Sequence, residues 1–423
     1  MQFDLNSVRA QFPALSITDN GVARIYFDNP AGTQVPTGVA TAMSDCLLKT
    51  NANLGGYFAS SEEAGCVVDS ARRSMADFLN APAVDEVIFG HNMTTLTLHM
   101  SRSLGRLFKP GDEIVLSQMD HDANVWPWVL LARDLDLTVK WMPFDTKTFE
   151  FDARVLDDLL TDRTRLLCVG GASNLIGTIN DITAMCHQAR DAGVITYIDA
   201  VQSAPHVATD VQAVGCDFLV CSAYKFFGPH HGILWGRREV LERLEPYKVR
   251  PAPAEIPDCF ETGTQSHEDF AGVAAAVDYF EWVGATMAQE YAGRWSHLSG
   301  RPQTLHAAMD FLFDYEKSLA EQLIDGLQQF DGVTIQGITD ADAMHRRVPT
   351  VAFTHDRVSA PTIAESLAKK NIFVWSGHNY AVEVAKALGI YDTGGAVRVG
   401  PVHYNSSAEI DQLLNELGPI LAR

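Results

Sequence analysis

Five short apolar runs punctuate residues 87–220: Val87-Ile88-Phe89, Ile114-Val115-Leu116, Leu166-Leu167-Cys168-Val169, Ile195-Thr196-Tyr197-Ile198 and Phe218-Leu219-Val220. Polar or glycine residues close each run, and helix-length segments lie between them. A strand with one wet face alternates apolar and polar residues, whereas an unbroken apolar run marks a strand buried on both faces. Parallel neighbours need a long crossover, which a helix supplies. The pattern predicts an α/β fold around a mostly parallel sheet.

The flanking segments fit this frame. An amphipathic N-terminal piece carrying Val8, Phe12 and Leu15 leads to a brief strand and a Pro-Gly turn in Ile25-Tyr26-Phe27-Asp28-Asn29-Pro30-Ala31-Gly32. Val68, Ala71, Met75 and Phe78 keep helical spacing and predict a helix over 64–79, stopped by Asn80-Ala81-Pro82. Between 249 and 270, Pro251, Pro253 and Pro257 stand too close for a helix and predict an extended crossing segment. From Val333 the texture changes. Strand-like runs at 333–335, 351–353, 372–375 and 397–399 alternate with helical stretches at 362–370, 381–388 and 408–421, which predicts a smaller second α/β domain. At 423 residues, two domains are expected. We expect residues 1–20 to pack on the small domain, 21–290 to form the large domain and 291–423 the small one.

Charge and cysteine usage exclude other classes. A net charge of −21 with no basic run argues against a nucleic-acid partner. The seven cysteines are scattered, without CxxC pairs or structural-zinc spacing, and read as reduced core residues rather than disulfides or metal ligands. No apolar run is long enough to span a membrane, and Met1-Gln2-Phe3-Asp4-Leu5 does not open a signal peptide. A cytoplasmic protein without metal is expected.

The chemistry centres on Ser222-Ala223-Tyr224-Lys225-Phe226-Phe227-Gly228-Pro229. Apolar surroundings disfavour an ammonium and make a lysine nucleophilic near neutral pH, yet a surface lysine laying its stem over two phenylalanines reads the same way. Three other stretches bear on the choice. Strand 86–89 followed by Gly90-His91-Asn92-Met93-Thr94-Thr95 and a helix start offers free N–H groups to a phosphate, or is an ordinary helix cap. Asp199 ends a buried strand, where open α/β sheets bind ligands, and a carboxylate there can hold a proton on a heteroaromatic nitrogen. His121, in Asp120-His121-Asp122-Ala123-Asn124, either stacks on a flat ring or caps a turn. Together with Lys225 these describe a pyridoxal phosphate site. Neither GxxxxGK[ST] nor GxGxxG occurs, which argues against nucleotide and NAD sites.

The order of these segments resembles the class V aminotransferase fold family, especially its cysteine desulfurase and selenocysteine lyase branch. The resemblance runs from Tyr26 to Asn405 and is carried by His121 with Asn124 and Pro127-Trp128, by Ser173-Asn174-Leu175-Ile176-Gly177-Thr178, by Asp199 with Gln202, and by Ser222 with Lys225. It implies a fold type I pyridoxal phosphate enzyme with a seven-stranded large-domain sheet. Lys225 is then expected to hold the cofactor and move the substrate's alpha proton. Asp199 pairs with the ring nitrogen, Gln202 with the phenolic oxygen, and His121 stacks on the ring. Met93, Thr94 and Ser222 hold the phosphate, joined by Thr264 of a second copy in a homodimer.

Asn174 and Arg398 match positions that bind an amino-acid carboxylate; a surface salt bridge is the other reading of Arg398. The desulfurases carry a loop like Arg-Thr-Gly-His-His-Cys-Ala, whereas this chain has Trp375-Ser376-Gly377-His378-Asn379-Tyr380-Ala381. Tyr380 stands at the cysteine position and Trp375 at the arginine position, so Trp375, His378 and Tyr380 become candidate substrate contacts. The implied activity is a lyase of beta-elimination type without a loop persulfide. Amino transfer and epimerisation are the enzymatic alternatives, and a non-catalytic scaffold is the alternative of another class.

Overall fold

The computed structural model describes residues 3–422; Met1, Gln2 and Arg423, the first two of them part of the expected N-terminal segment, lie outside the described residues. Seven strands build the large sheet: β1 Val87–Gly90, β2 Glu113–Ser117, β3 Thr138–Met142, β4 Thr164–Gly170, β5 Ile195–Asp199, β6 Phe218–Ser222 and β7 Gly232–Gly236. Their order is β1-β7-β6-β5-β4-β2-β3. Strands β6, β5, β4, β2 and β3 pair in parallel, whereas β7 runs antiparallel to both β1 and β6. All except β7 therefore point the same way, and their carboxyl ends share one edge.

The apolar runs are buried on both faces. Val115, Leu167, Val169, Ile198 and Leu219 belong to one core cluster. Their neighbours Ile114, Leu116, Leu166, Cys168, Tyr197, Phe218 and Val220 belong to another, as the two-residue period of a strand requires. Helix α1, Met93–Gly105, leaves β1 and sets Leu96, Met100 and Leu104 into the second cluster. The helix predicted over 64–79 starts earlier and spans Ala59–Leu79. The proline-rich crossing ends sooner than expected, because helix α2 begins at His267 and runs to Met287.

Helix α3, Gly300–Leu327, spans two cores. Leu305, Ala308 and Leu312 pack beneath the large sheet, while Leu319, Leu323 and Leu327 pack under a second sheet. That sheet is antiparallel, with β8 Val333–Gln336, β9 Val351–His355, β10 Trp375–Gly377 and β11 Ala396–Val399 in the order β8-β9-β11-β10. The run expected as one strand at 372–375 divides. Ile372–Phe373 pairs in parallel with Ile25–Tyr26, and Trp375 begins β10.

Several contacts bind the elements into one body. Phe12 meets the rings of Phe227, Tyr279 and Tyr404 edge-on at 5.7, 5.3 and 5.0 Å. Arg9 Nη1 donates to the Tyr404 carbonyl at 2.7 Å and pairs with Glu409 at 2.9 Å. Glu316, fully buried on α3, lies 2.7 Å from His206 Nδ1 and accepts the His403 backbone N–H at 3.0 Å. Burial pushes its carboxyl up, but the two histidines outweigh that and hold it down to about 2. A buried carboxylate thus ties the turn after β5 to the chain after β11.

Candidate active site

The shared carboxyl edge gathers the residues that the sequence singles out. Met93 and Thr94 start the helix after β1, His121 follows β2, Asn174 follows β4, Asp199 ends β5, and Ser222 ends β6 ahead of Lys225. All of these, with Gln202, line one pocket of about 560 Å³. Arg398, Trp375, His378 and Tyr380 line an adjoining cavity of about 1170 Å³, which shares His121, Asn174, Tyr224 and Lys225 with the first. Thr264 is not among them; it lies at a separate cavity beside Arg72 and Phe270.

Lys225 owes its place to the two phenylalanines after it. Phe226 stacks on Phe78 at 5.2 Å and is fully buried, as is Phe227. Phe227 adopts φ +68°, a conformation an L side chain takes only when its surroundings enforce it. Here the Phe12, Tyr279, His403 and Tyr404 rings surround it, and its N–H donates to Thr33 Oγ1 at 3.0 Å. The aromatic pair anchors the turn in the core, and Lys225 lies at the pocket. Its Nζ donates to the Pro30 carbonyl and sits 5.0 Å from the centre of the Tyr224 ring. Burial, aided by repulsion from Arg398 and opposed by Asp199, pulls the amine down to about 7. The arrangement meets the requirement for a lysine that is partly unprotonated at neutral pH.

Across the pocket, burial raises the Asp199 carboxyl to about 6, against the Val201 N–H that donates to its Oδ1 at 2.9 Å. Asp120 lies buried behind it and is pushed up to about 7, chiefly by burial and also by the charge of Asp199. Asp120 accepts from Gly170 N at 2.8 Å and from Asn124 Nδ2 at 2.7 Å, which pins the His121 turn to β4. Asp120, directly before His121, has no role that the sequence alone announces. His121 Nδ1 accepts the Ala123 N–H at 3.0 Å, so the proton of the neutral ring is on Nε2. Burial, with Lys225 and Arg398 nearby, drives this imidazole down to about 3 and keeps it neutral.

Arg398 is 4% exposed and donates from Nη1 to the Asn174 carbonyl at 2.8 Å. Its Nε has no hydrogen-bond partner among the described residues. A buried guanidinium with an open donor suits an incoming carboxylate and does not match the surface salt-bridge reading. The loop beside it is docked at two points: Asn174 Nδ2 donates to the Asn379 carbonyl at 2.7 Å, and Asp122 N to the Tyr380 carbonyl at 2.8 Å. Asn379 and Tyr380 both have positive φ, +49° and +60°. The Tyr380 ring stacks on His121 with centroids 5.4 Å apart. These loop anchors bridge residues far apart in sequence and left no signal in it.

The pocket fits pyridoxal phosphate in its donors. Asn92 caps the 13-residue α1 by accepting the Thr95 N–H at 2.9 Å, and the positive end of the helix lies at the pocket wall. Gly232 lets that end approach the sheet, since a Cβ there would lie 2.4 Å from the Asn92 carbonyl carbon. Gln202 donates from Nε2 to Thr350 Oγ1 at 3.0 Å and leaves its Oε1 buried without a partner. Turning the amide over lets Oε1 accept from the Thr350 hydroxyl and frees the NH₂ group as a donor.

Known proteins resemble the chain along nearly its whole length. The family model described as aminotransferase class-V matches residues 25–300 and 305–413. The chain is 31% identical over 428 residues to the aminotransferase-like protein FGM3 of Gibberella zeae, covering 99% of both chains. It is 30% identical to a cysteine desulfurase of Yersinia pestis, covering 98% of this chain and 97% of that one. The apo cysteine desulfurase of Thermococcus onnurineus superposes with a TM-score of 0.87 at 27% identity, covering 100% of this chain and 99% of the other. A match of that extent on sequence and fold establishes that the chain belongs to the class V aminotransferase family of pyridoxal phosphate enzymes.

Proposed function

We propose that the protein is a cysteine desulfurase-like lyase that opens its reaction at the alpha carbon of an amino acid and uses no loop cysteine. The observation that carries this reading is a pair of adjoining cavities that share a lysine depressed to about 7, one holding the buried Asp199 carboxyl and the other the buried Arg398, whose Nε has no partner among the described residues. Pyridoxal phosphate, when bound, supplies an electron sink for the pair released at the alpha carbon. Lys225 would hold the cofactor covalently, and its Nζ, depressed to about 7, would be placed to take the alpha proton. Asp199 would hold the proton on the ring nitrogen, and the Gln202 amide would donate to the phenolic oxygen. His121, neutral, would cover the ring without adding charge. Asn174 and Arg398 fix the substrate carboxylate.

The phosphate is assigned to the N-terminus of α1, with Met93, Thr94 and Ser222. Met93 N donates to Ser222 Oγ at 3.2 Å, which brings these groups together. Thr264 of a second copy completes this site in the proposed homodimer. Leu54, Tyr57, Phe58 and Val249 are exposed large apolar residues, and Leu54 and Val249 line the cavity of Thr264, as a surface covered by another copy would have. Sedimentation of the holoprotein is expected to give two chains, and a single chain contradicts the assignment of Thr264.

Tyr380 occupies the loop over the pocket, and among the described residues no cysteine lines either cavity, which supports elimination without a persulfide. The same observation favours amino transfer as the second reading. The division at residues 20/21 and 290/291 and a cytoplasmic location belong to the proposal as well, the latter supported by seven unpaired cysteines. The test is to incubate holoenzyme with single amino acids and assay sulfide, pyruvate, alanine and keto acid. Pyruvate released with the beta substituent supports elimination; a keto acid formed only with an amino acceptor overturns it for transfer.

A further inference from the structure

Trp375 of β10 lies directly opposite Arg398 of β11 in the antiparallel register. Opposed residues of such a pair put their side chains on the same face. The indole is therefore placed beside the guanidinium that is assigned to the substrate carboxylate. Trp375 and Tyr380 are 51% and 67% exposed, although both line the cavity of about 1170 Å³ that contains Lys225 and Arg398. Two large rings at a cavity wall, left to water in the free protein, await an apolar surface.

The charge inventory points the same way. Among the described residues no Asp or Glu lines this cavity, and the carboxylates nearest to it, Asp28 and Asp199, act on Arg398 and Lys225 and so are already engaged. Its lysine and arginine are both committed, one to the cofactor and one to the alpha carboxylate, so neither remains for an acidic side chain. The wall is also preformed. Asn174 and Asp122 hold the loop backbone at residues 379 and 380, and His121 backs the Tyr380 ring. Behind it, strands β10 and β11 close tightly, because a Cβ on Gly395 would lie 2.1 Å from the Gly377 carbonyl carbon. With the loop backbone and the Tyr380 ring already held, this part of the wall needs little ordering on binding.

We infer that the substrate is a free amino acid whose beta carbon carries a bulky, uncharged, apolar or aromatic substituent, the group that elimination would release, and that this substituent packs on Trp375 and Tyr380. This rests on the assignment of Lys225 and Arg398 above and extends it to the substrate class.

The experiment uses holoprotein and alpha-methyl amino acids, which lack the alpha proton and bind without turning over. Affinity is read from the shift of the visible cofactor band. Alpha-methylphenylalanine is expected to bind on the order of 30-fold more tightly than 2-aminoisobutyrate, alpha-methylcysteine or alpha-methylaspartate. Trp375→Ala and Tyr380→Ala should each shrink the phenylalanine-to-alanine preference by about tenfold. Trp375→Arg should move the preference toward alpha-methylaspartate. Equal or tighter binding of alpha-methylcysteine or alpha-methylaspartate by the unmodified protein overturns the substrate class while leaving Lys225 in its assigned place. A holoprotein with no visible band removes the assignment of Lys225 itself, and the substrate class with it.

Discussion

Lys225→Ala is expected to remove the visible cofactor band and to lower turnover by at least about 10³-fold, the scale set by losing a positioned proton-transfer group and a covalent anchor together. Among the described residues Lys225 is the one lysine lining either adjoining cavity, so no neighbouring amine takes over. The fold should persist, because the turn is held by Phe226 and Phe227 in the core and not by the amine. A small external amine should restore part of the turnover, since the space and the carboxylate clamp remain. The pH dependence follows from the same burial. With its amine at about 7, Lys225 is increasingly unprotonated as pH rises through 7 and largely free above it. Cofactor uptake by apoprotein should therefore rise through pH 7 and then flatten. An ordinary lysine would keep gaining up to about pH 10.4.

Arg398→Leu is expected to weaken amino-acid binding on the order of 100-fold while sparing the cofactor band. Truncating one partner of a buried charge pair costs about 2–5 kcal/mol, and about 1.4 kcal/mol is a factor of ten. Arg398→Lys should recover little of this loss. A lysine offers a point charge on a flexible stem, whereas the guanidinium, already oriented by the Asn174 carbonyl, presents a planar pair of donors. Stability should hold or improve in the leucine variant, because it removes a buried cation whose Nε has no partner. Titrating each variant with one amino acid and following the band separates this binding defect from the loss of cofactor attachment in Lys225→Ala.

The central strands were legible because burial on both faces leaves unbroken apolar runs. Two strands of the large sheet escaped. Thr138–Met142 lies at the sheet edge and carries Lys140, which pairs with Glu113 at 2.7 Å, so it reads as polar. Gly232–Gly236 is framed by glycines just past the lysine turn and runs against its neighbours, so the crossover logic of parallel strands does not announce it. The 372–375 run divides because Ile372–Phe373 finds its partner at Ile25–Tyr26, a pairing no local pattern encodes.

Much of the pocket was legible for a related reason: in a parallel sheet, residues that end successive strands meet at one edge. The supports were not. Gln202 reaches Thr350 across 148 residues, and Asn174 reaches Asn379 across 205. Contacts of that span depend on how the second sheet packs over the first. Asp120 is the exception, a local residue whose significance comes from its burial behind Asp199 and its hold on Asn124 and Gly170.

The covalent hold of Lys225 on the cofactor is tested most directly by borohydride reduction of the holoprotein, followed by mass mapping of its peptides. The expected result is a bleached visible band and the mass of the reduced cofactor on the peptide that contains Tyr224-Lys225-Phe226. Cofactor mass on another lysine, or none on folded protein supplied with pyridoxal phosphate, would contradict the assignment.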